Sequence, residues 1–197
     1  MYMSKYELIE ELNQDGYLFT ADVVNAGISK SWLAQYVKDK EYERVAHGIY
    51  ISPETWPDEL FILNRSYPNI IFAGETALYL HLLVDREYSN ITVCAPSNFS
   101  GQRLREKGII VHREREALYG LGKTQVETNY GHLVNVYSME RTICDVVKNR
   151  KIYDVQTYQT ALKEFFRKKN VDYSKLLEYA TALNVKEDIM KYVEVMI

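Results

Sequence analysis

The chain has 197 residues, of which 47% are apolar and 26% are charged, a balance that excludes a disordered chain. Its two cysteines, Cys94 and Cys144, are too few for a disulfide framework, so a reducing compartment is expected. The formal net charge of −3 argues against a protein covered in basic charge for nucleic acid. Because neither a signal peptide nor a long apolar run is present in the sequence, we expect a cytoplasmic protein that does not bind membranes.

Residues 1–55 are predicted to form three short helices and a β-hairpin. Apolar residues spaced three apart, at Tyr6, Ile9 and Leu12, place the first helix before a glycine at position 16. Thr20 is predicted to N-cap a second helix over 21–26, and Ser29 a third over 30–40. Strands are predicted over 42–46 and 49–51.

The connection between the second and third helices runs from residue 26 to residue 29. It has the length and the glycine, Gly27, that a helix-turn-helix requires. Together with the hairpin that follows, this turn predicts a winged helix-turn-helix domain over residues 1–55.

Residues 56–197 mix helical and strand patterns, so the predicted fold class is mixed α/β (α+β), with a larger α/β domain and a helical C-terminal tail. Strands are identified by short β-branched runs and helices by their caps and periodicity. Helices are predicted at 58–67, 75–83, 101–107, 139–149, 154–169, 173–183 and 186–195, and strands at 70–73, 91–95, 109–112, 124–127 and 133–137.

In a helix-turn-helix, the N-terminal part of the second helix meets base edges in the major groove, and the wing meets phosphate or the minor groove. Gln pairs with adenine and Lys with guanine. Core packing for Trp32 and ordinary solvated surface for His47 remain alternative interpretations. The candidate DNA-binding residues are Lys30, Ser31, Trp32, Gln35, Tyr36, Lys38, Arg44 and His47.

The charge of this domain limits how tightly one copy can bind DNA. Residues 1–55 hold five basic and nine acidic residues, a net charge of −4, although 28–51 hold four basic and three acidic ones. Acidic residues of the first helix can face away from DNA, but few phosphates would be neutralised by each copy. We therefore expect weak binding to a single site and more than one copy on paired half-sites.

A second basic cluster lies between residues 103 and 123, with six basic and three acidic residues. It is a possible second binding surface for DNA or for an acidic protein, or a solvated surface with internal ion pairs. Its basic residues are Arg103, Arg105, Lys107, Arg113, Arg115 and Lys123.

Motifs for catalysis are missing from the sequence. The run 122–124 is similar to the end of a phosphate-binding loop, but Ala117 stands where that loop needs its first glycine. The four histidines and two cysteines lack metal-ligand spacing. We therefore predict no catalytic residues, no metal and no cofactor, and a protein that is not an enzyme.

Two stretches of the larger domain carry a family resemblance. FAGETALYLH, from Phe72 to His81, and YSMERTICD, from Tyr137 to Asp145, resemble the "ETALYLH" and "ERT-x-x-D" motifs of the AbiEi family. Members of this family are antitoxins of AbiE abortive-infection, type IV toxin–antitoxin systems. The resemblance covers nearly the whole chain, because a winged domain precedes these motifs in the family.

The resemblance implies a protein that binds inverted repeats in its own promoter, represses its operon, and counters a nucleotidyltransferase-like toxin without requiring a stable complex. The alternatives are a transcriptional regulator whose larger domain senses a ligand or dimerises, and an enzyme that reverses the toxin's modification. Helix stabilisation is the competing interpretation of the matched positions. These family-motif positions are Glu75, Tyr79, His81, Glu140, Arg141 and Asp145.

Overall fold

The computed structural model describes residues 4–196, and the chain divides between Ser66 and Tyr67 into two compact units. We call residues 4–66 the N-terminal unit and residues 67–196 the C-terminal unit. The mixed α/β class predicted from the sequence is confirmed. None of the helices within residues 4–196 combines the length and apolar character that crossing a bilayer requires.

The N-terminal unit consists of four helices and a three-stranded antiparallel sheet. The sheet order is β1-β3-β2, with Tyr17 opposite Ile51 and Arg44 opposite Tyr50. In chain order the elements are α1 (Lys5–Glu11), β1 (Tyr17–Phe19), α2 (Thr20–Asn25), α3 (Lys30–Asp39), β2 (Glu43–Ala46), β3 (Ile49–Ile51) and α4 (Glu59–Ser66).

Helix α4 explains where this unit ends. The sequence places the junction after residue 55, whereas α4 packs Phe61 and Ile62 against the buried face of the three-stranded sheet. Tyr17 also fixes the start of α4, because its hydroxyl accepts the backbone N–H of Asp58 at 2.8 Å. The compact unit therefore extends to Ser66.

The structure confirms one of the two helix caps predicted for the N-terminal unit and contradicts the other. Ser29 caps α3 as predicted, since its hydroxyl accepts from the Trp32 backbone N–H at 3.5 Å. The predicted cap of α2 is wrong, because the helix begins at Thr20 itself and Phe19 occupies the N-cap position without a side-chain bond. Strand β1 was not predicted; its three residues are all buried, so they show no alternation that a sequence pattern could reveal.

The C-terminal unit surrounds a five-stranded mixed sheet of order β6-β5-β4-β8-β7. Strands β4 and β8 are parallel, as are β5 and β6, and the other neighbours are antiparallel. Its strands are β4 (Ile71–Phe72), β5 (Thr92–Pro96), β6 (Ile110–Glu114), β7 (Lys123–Glu127) and β8 (Leu133–Tyr137). Its α-helices are α5 (Gly74–Leu80), α6 (Gln102–Glu106), α7 (Glu116–Tyr119), α8 (Met139–Lys148), α9 (Val155–Arg167), α10 (Tyr173–Ala182) and α11 (Lys186–Met196).

The main core of this unit lies among its helices. Helix α8 is buried on most of its surface, with Ile143, Cys144 and Val146 fully buried against α5, α9 and α10. Phe165 of α9 and Leu176 of α10 complete this core. The predicted helical tail is thus the helical layer that covers α8.

Candidate functional site

The N-terminal unit contains a cleft of about 540 Å³ between α2, the start of α3 and the β2–β3 hairpin. Three cationic side chains, Lys30, Arg44 and Arg65, line it together with the imidazole of His47. We call it the basic cleft. Within residues 4–66, its lining includes no Asp or Glu side chain, although Arg65 is paired with Asp22 of α2 at 3.2 Å. The cleft therefore concentrates positive charge in a unit whose overall charge is acidic.

The hairpin orients two of these groups through contacts of its own. The Arg44 guanidinium donates from Nη2 to Nδ1 of His47 at 3.0 Å and from Nε to the carbonyl of Ala46 at 3.3 Å. Because a guanidinium only donates, His47 accepts at Nδ1 and presents its other ring nitrogen as a donor. A register shift between Arg44 and Ala46 accompanies this arrangement at the end of the hairpin.

No local sequence signal points to Arg65, because it lies on α4, beyond the predicted domain boundary. Its guanidinium carbon lies 3.9 Å from the ring centre of Phe19, which belongs to the sheet. Only the packing of α4 on this sheet brings Arg65 into the cleft.

Helix α3 presents a separate exposed face beside Lys30. Ser31, Gln35 and Lys38 are four and three residues apart, so they share one face of the helix, and all three are exposed. Ala34 lies on the same exposed face and has little bulk to obstruct an approaching surface, although its residue type alone does not predict a binding role. Gln35 donates to Asp39 at 2.7 Å, and this bond holds its amide along the helix.

The two aromatic candidates on α3 differ in exposure. Trp32 is 40% exposed and packs edge-on against Tyr6, with the Lys5 ammonium 4.7 Å from its ring centre. Tyr36 is only 2% exposed and contacts Tyr6 and Tyr42 in the core. Tyr36 is therefore not presented for a DNA contact, because its size and helical position bury it beside Leu33.

The second basic cluster is divided between the two edges of the five-stranded sheet. All six of its side chains are exposed, but Arg113 lies on β6 and Lys123 on β7, at opposite edges of the sheet. Four strand spacings separate those edges, roughly 19 Å. Arg105 is also engaged locally, since its guanidinium donates to the carbonyl of Ser100 at 3.0 Å.

The family-motif positions in α8 hold the C-terminal unit together. Arg141 is 1% exposed; it donates to Asp145 at 2.9 Å and to the carbonyls of Leu118 and Leu121 at 2.7 and 2.9 Å. Burial raises the pKa of the Asp145 carboxyl, and the Arg141 guanidinium opposes that rise. Glu140, also buried, accepts from the Asp172 backbone N–H at 3.1 Å, next to the start of α10.

The positions from the first motif have comparable local roles. The Tyr79 hydroxyl accepts from the Asn129 amide at 3.1 Å, and Glu75 lies in the first turn of α5. The ring nitrogen Nε2 of His81 lies 2.6 Å from the carbonyl of Tyr137, to which it donates. These contacts support the structural interpretation of the motif residues.

His81 makes the stability of the protein depend on pH. Burial lowers the pKa of the His81 imidazole, an effect only partly opposed by its bond to the Tyr137 carbonyl. As the pH falls, His81 is therefore protonated first in the unfolded chain, at about pH 6.5, and only at a lower pH in the folded protein. Between these two pH values, the unfolding free energy that neutral His81 contributes is lost. We expect His81→Gln to reduce the loss of unfolding free energy between pH 7.5 and 5.5, measured by urea denaturation.

His112→Gln is the matched control for this experiment, because His112 is exposed on β6. It should leave the pH dependence as it is in the unmodified chain. Equal pH dependence in all three proteins would contradict the role assigned to His81.

Potential metal ligands are dispersed. Within residues 4–196, no group of three or more His, Cys, Asp or Glu side chains is arranged to hold a metal ion. Both cysteines are buried, and burial raises the pKa of the Cys94 thiol.

Comparison with known proteins supports the fold but does not give a function. No family model and no curated protein matches the chain. Among solved structures, the RV2827C protein from Mycobacterium tuberculosis is similar, with a TM-score of 0.56 and 10% sequence identity over 91% of this chain and 72% of that one. At this level of identity, the similarity shows a shared fold alone.

Proposed function

We propose that the N-terminal unit is a winged helix-turn-helix that binds double-stranded DNA. The observation that carries this proposal is the basic cleft, which lies directly beside the exposed polar face of α3. In this assignment α3 is the recognition helix and the β2–β3 hairpin is the wing. The turn before α3 contains Gly27 at φ +82°, a conformation that favours glycine.

Two groups of residues would contribute to DNA recognition in different ways. Ser31, Gln35 and Lys38, on the exposed face of α3, would meet base edges in the major groove. The side chains of the basic cleft would bind phosphates and set the register of the helix on the duplex. Arg65 joins that second group.

The number of these cations limits the affinity of one copy. About three phosphate contacts per copy, from Lys30, Arg44 and Arg65, correspond to a slope of log K against log salt concentration of roughly −3. Two copies on an inverted repeat would double this slope and supply the specificity that one copy lacks.

The biological role proposed here is that of an autorepressing antitoxin. The motif resemblance supports a C-terminal unit that counters a nucleotidyltransferase-like toxin without needing a stable complex with it. The role is non-catalytic, which agrees with the structural contacts of the motif residues in α8. Repression of the operon and neutralisation of the toxin would both take place in the cytoplasm.

Gel shifts on the DNA upstream of its own gene test the DNA-binding proposal. At about 150 mM salt, we expect binding to that DNA to be at least 10³-fold tighter, as an order of magnitude, than binding to a scrambled duplex of equal length. A half-site deleted from an inverted repeat should weaken binding and remove cooperativity. Equal affinity for the scrambled duplex would contradict the proposed repressor role.

A further inference from the structure

The C-terminal unit has a groove of about 900 Å³ between α9, α11 and the one-turn 3₁₀ helix at Arg150–Ile152. We call it the α9–α11 groove. Its floor is apolar, with Tyr158 and Leu162 almost fully buried. On its rim, Val155 and Val195 are 71% and 83% exposed. The groove therefore combines a buried apolar floor with an exposed apolar rim.

The charge along the groove has a single sign. Arg150, Lys151 and Lys191 line it, and within residues 67–196 no Asp or Glu is part of the lining. Lys191 is paired with the nearby Asp188 at 2.8 Å, and the Arg150 guanidinium lies 5.1 Å from the Tyr158 ring centre. The lining is therefore complementary to an anion rather than to a neutral or cationic molecule.

A pair of tyrosines adds a polar group to the apolar floor. The hydroxyls of Tyr158 and Tyr192 are 2.8 Å apart, and either can donate to the other. The pair has two hydroxyl hydrogens and its mutual bond uses one, so it can also donate to a ligand oxygen.

The dimensions of the groove favour a small molecule. Its volume lies in the range of small-molecule sites, which often lie between packed helices. Along α9 the lining extends from Val155 to Leu162, a rise of roughly 10 Å. We infer that the α9–α11 groove binds a slender amphiphilic carboxylate, with its apolar chain over Val155, Leu162 and Val195 and its head group against Arg150 and Lys151, which are adjacent in the chain.

The test titrates the full chain with decanoate below its micelle concentration, followed by calorimetry and by NMR chemical shifts. Decanol, with the same chain and no charge, and decyltrimethylammonium, with the opposite charge, are the ligand controls. We expect decanoate to bind at least about tenfold more tightly than either, because a carboxylate makes charge-assisted bonds with the cations. The largest shifts should fall on Val155, Leu162 and Val195.

Two variant pairs assign that binding to the groove. Val155→Glu adds a negative charge to the rim at the first residue of α9, where an acid suits the helix dipole, and should weaken decanoate binding at least about tenfold. Leu133→Glu, at a side chain 54% exposed on β8 and outside the groove, should not. The double change Arg150→Gln with Lys151→Gln should also weaken binding. Its matched control, Lys163→Gln with Lys186→Gln, changes exposed lysines of α9 and α11 outside the lining.

Four results would overturn this inference. These are equal affinity for decanol and decanoate, equal weakening by test and control variants, a concentration-dependent dimer that buries Val155 and Val195, and binding to anionic vesicles without binding of monomeric decanoate. The last two would assign the groove to a second copy or to a membrane surface. Retained decanoate binding in the control variants, lost in the test variants, supports a small-molecule site.

Discussion

Replacing Arg141 with methionine is expected to lower the free energy of unfolding of the C-terminal unit by about 3–5 kcal/mol. The side chain is 1% exposed and is the largest fully buried side chain among the described residues. Its removal leaves the Asp145 carboxylate and the carbonyls of Leu118 and Leu121 without the bonds that Arg141 donates. A buried group that loses its partner costs more than the bond itself contributed.

The surroundings of Arg141 leave little freedom for compensation. The guanidinium lies 4.4 Å from the Tyr137 ring centre, and Gly122 packs so closely that a Cβ there would lie 2.6 Å from the Arg141 Cβ. Gly122 also adopts φ +78°, and its carbonyl accepts from the Ser138 backbone N–H at 2.7 Å. The segment from Leu118 to Gly122 is therefore bonded to α8 and its N-cap at three carbonyls, and Arg141 donates to two of them.

Urea denaturation of the full chain can separate this effect from a change elsewhere. Both tryptophans, Trp32 and Trp56, belong to the N-terminal unit, so tryptophan fluorescence reports on that unit, whereas most helical circular dichroism comes from the other. We expect Arg141→Met to shift the dichroism transition. Arg103→Met, at an exposed position on α6, should change stability by less than about 0.5 kcal/mol. A dichroism transition unchanged by Arg141→Met would contradict the structural role.

Reversing two charges of the basic cleft is expected to produce the largest effect on DNA binding. Lys30→Glu with Arg44→Glu should weaken binding to the upstream DNA by about 10²-fold or more at 150 mM salt, since two phosphate contacts become repulsive. The salt slope should fall in magnitude by about two for each bound copy, since each lost contact contributes roughly 0.9. Both residues are exposed, so the fold should be retained, although Arg44→Glu also removes the bonds that Arg44 donates to Ala46 and His47.

A charge-matched control separates this local effect from the change in net charge. Lys163→Glu with Lys186→Glu makes the same change in net charge on exposed residues outside the basic cleft and outside the second basic cluster. It should leave DNA affinity within about threefold of the unmodified value. Equal weakening by both double variants would contradict the assignment of the cleft.

Three single substitutions then distinguish the roles within the interface. Arg65→Gln should weaken binding to specific and scrambled DNA alike, as a phosphate contact does. Gln35→Ala should reduce the preference for one base position by about 1–3 kcal/mol. Tyr36→Phe should leave DNA binding unchanged, because Tyr36 is in the core.

Variants of the same residues test whether DNA binding by the N-terminal unit is separate from toxin neutralisation by the C-terminal unit. Full chains that carry Lys30→Ala, Gln35→Ala and Arg44→Ala should lose promoter binding and still relieve the toxicity of a nucleotidyltransferase-like toxin, if the proposed antitoxin role of the C-terminal unit is correct. Loss of both activities in a chain that remains folded would contradict the separation.

Local signals in the sequence were sufficient for most of the helices and strands. Strand β8 has the predicted bounds, and α8 and α10 each end one residue earlier than predicted. Such elements are specified by a cap, a β-branched run or an apolar period within a few neighbouring residues. Strand β1 and helix α7 have three and four residues, too few for a period to appear.

The sequence by itself therefore determined the mixed α/β class, the order of most elements and the candidate residues of α3 and the hairpin. Only the tertiary structure decided which of these residues lie together. It brought Arg65 into the basic cleft, buried Tyr36, placed Arg113 and Lys123 at opposite edges of a sheet, and surrounded Arg141 with carbonyls. The physical reason is that strand order, helix packing and the burial of a charge depend on contacts between residues far apart in the chain, which no local pattern records.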